Sequence, residues 1–210
     1  MKLIYKGKFD GNQDSLPCRE HKQGAVAFKE AKTPAALAVI ANIMCIVIMV
    51  VLAVVFVMRI NAYNGESLFS YKALRYINLW GIMMSFVTLF PHEFLHAICF
   101  KEEVYLYTNW SQGMLFVVGT EDMSKLRFVV MSMCPNMVFG IIPYIAFLIN
   151  PQLTFFGTMG LFAVGMGAGD YYNVFNALTQ MPKGARTYLY KFNSFWYMPE
   201  EKCALQNDVK

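Results

Sequence analysis

Four long apolar runs separated by mixed polar segments set the layout of this 210-residue chain. Residues 1–34 are polar and mixed. Lys2 to Phe9 alternates loosely and Ala25-Val26-Ala27-Phe28 is a short apolar piece, so both predict strands. Thr33-Pro34 has the form of a helix start, with Thr33 as N-cap and Pro34 at the first helical position. From Ala35 to Met58 only Asn42 is polar, which is long enough to span a hydrocarbon core. A polar connection leads to a second span at 77–100, where Pro91 predicts a kink just before His92. Residues 101–125 turn polar again. Val104 to Tyr107 and Met114 to Val118 flank Asn109-Trp110-Ser111-Gln112-Gly113, the pattern of a β-hairpin. A third span at 126–149 is interrupted by Cys134-Pro135-Asn136 and by Pro143, and a fourth at 153–178 is rich in glycine, as closely packed helices are. Arg186 to Phe192 and Phe195 to Met198 read as two strands joined at Asn193-Ser194.

Composition supports the membrane reading: 57% of residues are hydrophobic and 15% charged. Met1 to Lys8 lacks an apolar core or cleavage site, which predicts no removed signal peptide. Of the 18 Lys and Arg, 15 fall in the two tails and the 101–127 region. By the positive-inside rule both termini are cytoplasmic, in a multi-pass protein of the cell membrane. The net charge of +4 is spread out, so the pattern is one of orientation and not of nucleic-acid binding. Five scattered cysteines offer no disulfide framework, and the Cys18-Arg19-Glu20-His21 stretch reads as an exposed loop.

The chemistry concentrates in Pro91-His92-Glu93-Phe94-Leu95-His96. Histidines four apart on a helix share a face and can hold one ion, with Zn–N distances of about 2.0–2.1 Å. Glu93 follows the first ligand and is placed to take a proton from water activated by that ion. This is the HExxH pattern, and its setting in an apolar span, where ionisable groups are costly, favours function over packing. Apart from Glu93, Asp170 is the one acidic residue in any span. On the four-span layout His92 and Asp170 each lie eight residues from the cytoplasmic end, about 12 Å deep. That shared depth makes Asp170 the expected third ligand, ahead of Glu102, Glu103, Glu121 and Asp122 in the polar loop. His21 reaches the site only if the N-terminal tail folds onto it. A structural carboxylate is the alternative for Asp170. Asn136 either orients a substrate or ligand carboxylate, or bonds helix to helix; Asn173 is placed to orient Asp170.

The chain resembles the putative zincin-peptidase family of bacterial multi-pass membrane proteins. More distantly it is similar to the site-2 protease type of intramembrane zinc metalloprotease. The resemblance lies in HEFLHA (His92 to Ala97) and in Gly169-Asp170 with Asn173. Ala25 to Glu30 and Pro182-Lys183-Gly184-Ala185 add weaker support. It implies one zinc ion on His92, His96 and Asp170, with Glu93 as general base. Site-2 proteases often carry Asp-Gly in the later helix, where this chain has Gly169-Asp170, and no peripheral PDZ-type domain has room here.

The expected fold is therefore a membrane all-α core of four transmembrane helices over residues 35–178. A small cytoplasmic β-rich cap is built from the 1–34 and 179–210 tails and the 101–125 loop. The expected function is a membrane-embedded zinc metalloprotease acting on a peptide or membrane-protein substrate near the cytoplasmic face. The alternative is a non-catalytic membrane protein that keeps the metal for structure or sensing. A transporter fits less well, since no inverted repeat is visible.

Overall fold

A computed structural model describes residues 1–109, 114–191 and 193–199. Its compact units are two, the first formed by residues 1–38, 93–133 and 171–210, the second by 39–92 and 134–170.

The first unit carries two sheets. In one, β1 (Lys2–Lys8) pairs parallel with β3 (Glu103–Asn109), which pairs antiparallel with β4 (Met114–Gly119). The other runs β2 (Val26–Ala27), β7 (Asn193–Tyr197), β6 (Arg186–Tyr190), β5 (Met123–Ser124), all antiparallel. The β3–β4 ladder is the expected hairpin, while its 110–113 turn lies outside the described residues. The turn expected at Asn193-Ser194 is displaced. Those residues already belong to β7, and Lys191 takes up the positive φ of 55° between β6 and β7. Buried Ala97, Phe100, Val104, Met123 and Met131 form the core around the first sheet. Gly119 matters to it because a Cβ there would sit 2.0 Å from the Phe100 ring. That space lets Phe100 dock just beyond the helix that bears the HExxH pattern.

The second unit is helical. The helix α1 (Pro34–Tyr63) enters it from the first and runs five residues beyond the expected Met58. Phe56, Ile60, Ala73, Tyr144, Phe147 and Leu161 form its core. Glycines let its helices approach: a Cβ at Gly81 would lie 2.6 Å from the Phe155 carbonyl oxygen, and one at Gly157 would strike the Phe147 ring.

The all-α core of four transmembrane helices does not hold. The fold is mixed, with seven strands in two sheets among the described residues. Among the described residues, two helices are long and apolar enough to cross a membrane, Ala35–Tyr63 and Lys125–Ile149. The latter joins α4 (Lys125–Asn136), a wide-turn stretch (Met137–Ile141) and α5 (Ile142–Ile149). It passes through Pro135 without stopping, and the Met131 carbonyl, four residues back, lies 2.9 Å from His96 Nδ1. The run expected as the second span divides into α2 (Leu79–Val87) and α3 (Leu89–Ile98). The division is at Thr88, not beside His92. Thr88 Oγ1 donates to the Ser85 carbonyl at 2.7 Å, and Pro91 falls in the first turn of α3, where its missing N–H costs little. The run expected as the fourth span likewise divides into α6 (Thr154–Met166) and α7 (Ala168–Gln180) at Gly167.

Candidate metal centre

His92, Glu93 and His96 occupy successive turns of α3, and their ligand atoms all lie within 4.8 Å of one another. The helical period produces this closeness, since positions i and i+4 stack one turn apart. His96 is 4% exposed, and its Nδ1 is 2.9 Å from the Met131 carbonyl oxygen on α4. A carbonyl only accepts, so Nδ1 carries a proton and donates it, which makes Nε2 the nitrogen that would take an ion.

His92 is bonded differently. Its Nε2 lies 3.0 Å from Asp170 Oδ2, in the first turn of α7. Asp170 Oδ2 also accepts from Asn136 Nδ2 at 2.7 Å. Asn136 is 1% exposed and lies over Gly167, where a Cβ would come 1.7 Å from its Oδ1. The glycine that divides α6 from α7 therefore also admits the amide that bonds Asp170. Asn173 stands three residues beyond Asp170 on α7, half-buried. Asn173 was expected from the sequence to orient Asp170; the amide that donates to Asp170 Oδ2 at 2.7 Å is that of Asn136.

Of the other carboxylates weighed from the sequence, each has a partner elsewhere. Glu102 pairs with Arg19 and Glu103 with Lys2. Glu121 accepts from the backbone N–H groups of Lys101 and Glu102, and meets Arg127 Nη2 at 2.5 Å in a contact whose angles are not those of a hydrogen bond. Asp122 pairs with Arg186 and accepts from Tyr197 Oη at 2.6 Å. Burial pushes the Asp122 carboxyl up, but Tyr197 and Arg186 outweigh it and hold it below the usual carboxylate range. Burial and the same bond push Tyr197 up to about 12. His21 packs on Tyr190 and Phe195, with its Nδ1 3.0 Å from Tyr188 Oη.

The residues present fit a divalent ion. The two imidazoles of α3 supply nitrogen donors of the kind zinc takes, His96 donates from Nδ1, and the Asp170 carboxylate beside His92 is an oxygen donor of the same kind. Two ligands of one tetrahedral ion stand about 3.3 Å apart, close to the His92–Asp170 separation of 3.0 Å. Asp170 is thus bonded to His92 of that group.

Residues 85–186, just under half of the chain, match a family model described as "Putative zincin peptidase". The matched stretch runs from α2 to the first residue of β6 and includes every residue of the site. No curated protein and no solved structure matches the chain.

Proposed function

We propose that this protein is a membrane zinc metallopeptidase in which His92, His96 and Asp170 hold one ion and Glu93 is the general base. The observation that carries the reading is the His92–Glu93–His96 group on α3, with the His96 proton committed to Met131. When bound, zinc would polarise a peptide carbonyl and lower the pKa of a water to roughly 7. Glu93, half-buried on the same turn as His92, is the residue that would take a proton from the attacking water and give it to the leaving amine. Asn136 holds Asp170 by its donated bond, which keeps the carboxylate facing His92. Asn173, one turn along α7, is the weaker candidate for that task.

Multi-pass placement with cytoplasmic termini is part of the proposal. Strand β1 precedes α1 and β3 follows α3, yet they share a ladder. A chain that leaves through α1 therefore returns before Glu103. The exposed Ile43, Ile46, Val47 and Val50 of α1 present to the surroundings an apolar face that lipid solvates and water does not. The substrate in this reading is a peptide or membrane protein, extended so that its carbonyls are accessible.

Metal content tests the site: purified wild type should carry zinc, and His92→Ala and Asp170→Ala should lose it. Cleavage of a peptide library tests the reaction, with Glu93→Gln keeping metal and losing turnover. Metal retained in all three variants, with no cleavage by wild type, would return the protein to a structural or sensing role.

A further inference from the structure

In an α-helix each carbonyl accepts from the N–H four residues on. Position 135 in α4 is proline and has no N–H to give. Four residues back is Met131, and its carbonyl oxygen is the one that lies 2.9 Å from His96 Nδ1. The acceptor that sets the tautomer of His96 is therefore a carbonyl whose usual helical donor has been removed. His96 is 4% exposed, so water is largely kept from this oxygen and from the ring. An amide N–H at 135 would point along the helix toward Met131 and compete with the imidazole for it.

We infer that Pro135 is a positioning residue of the metal centre, acting on His96 through the Met131 carbonyl. The inference rests on the metal-site reading above. Pro135 makes no contribution of its own atoms to the ion or to a substrate; its part is an absent donor. With that donor absent, His96 donates from Nδ1, which makes Nε2 the nitrogen that would take an ion. Proline also bends helices, and the two effects separate chemically. Lactic acid at position 135 has alanine's methyl group but an ester oxygen in place of the N–H, so it removes the donor without proline's ring.

The test uses the full chain in detergent micelles, with zinc affinity read by competition with a chromophoric chelator. Pro135→Ala should bind zinc about tenfold to hundredfold more weakly, the range for losing a ligand's outer partner. Lactic acid in place of Pro135 should restore wild-type affinity. Imidazole 15N spectra of the metal-free chain give a second readout. His96 should be one Nδ1–H tautomer in wild type and in the ester variant, and a mixture in Pro135→Ala. Wild-type affinity in Pro135→Ala, or an ester variant as weak as the alanine one, overturns the inference. Should wild type take up no zinc, the metallopeptidase reading fails, and the His96 tautomer in the three chains still decides the role of Pro135.

Discussion

The carboxylates of the Glu121-Asp122 pair and the carboxylate of Asp170 make an instructive contrast. Glu121 and Asp122 sit in the first unit, and each is met by an arginine: Arg127 for Glu121, Arg186 for Asp122. Asp170 sits in the second unit, where its bonds come from an imidazole and an amide. An arginine keeps its charge at every accessible pH, so a carboxylate facing one is already neutralised. An amide carries no charge and an imidazole need not, so both orient a carboxylate without bringing the permanent charge that an arginine does. In Glu121-Asp122 the ion pairs pin β5 and β6 beside the start of α4; in Asp170 the same functional group is held ready.

Four substitutions break or sharpen this contrast. Glu93→Gln should lower kcat by about 10²–10⁴ while zinc content stays at the wild-type level, because general-base catalysis is worth that much. A variant that cleaves normally would remove Glu93 from the chemistry. Asp170→Asn keeps the shape and removes the charge, and should weaken zinc binding by more than about tenfold, with little effect on thermal unfolding. Asp122→Asn should do the reverse, leaving zinc affinity unchanged and destabilising the fold by about 1–2 kcal/mol, a charged hydrogen bond discounted for partial exposure. Its pH signature is defined by the lowered Asp122 carboxyl. The contribution is present above the ordinary value of 3.8 and is lost as pH falls through the lower folded value, so urea unfolding of Asp122→Asn should be flatter than wild type below pH 4.

Glu30→Gln tests the opposite sign and the smallest effect. Burial raises the Glu30 carboxyl, and the bonds from Ser194 N–H and Asn193 only partly offset it. A raised carboxyl contributes most below its ordinary 4.5 and loses that contribution as pH rises through the folded value. Glutamine keeps an acceptor for Ser194 without the charge, so it should raise Tm at pH 7 by ~1–2 °C and have less effect at pH 4. A loss of stability at pH 7 would mean that the ionised carboxylate is needed there.

Much of the chemistry was legible in the residues themselves. HEFLH on one helix follows from spacing alone, and the apolar arms Val104 to Tyr107 and Met114 to Val118 on either side of a turn-rich stretch marked the β3–β4 pair. The third span was read within a residue of Lys125–Ile149. The second and fourth were read as continuous because their apolar length matches a span, although Pro91 and the glycines lie within them. Thr88 and Gly167 stop the helices by hydrogen bonding and by space for a neighbour, neither of which hydropathy records.

What the sequence determined by itself is what depends on neighbours a few residues away: helical phase, strand alternation, apolar length and the His92–Glu93–His96 group. Tertiary structure decided the rest. His92 meets a carboxylate 78 residues on, Asn136 meets the same carboxylate 34 residues on, and His96 meets a carbonyl 35 residues on. Side-chain periodicity repeats over a turn or a pleat and contains no record of which distant backbone will fall opposite. Only packing of the folded chain chooses among the several carboxylates and amides that local sequence leaves equal.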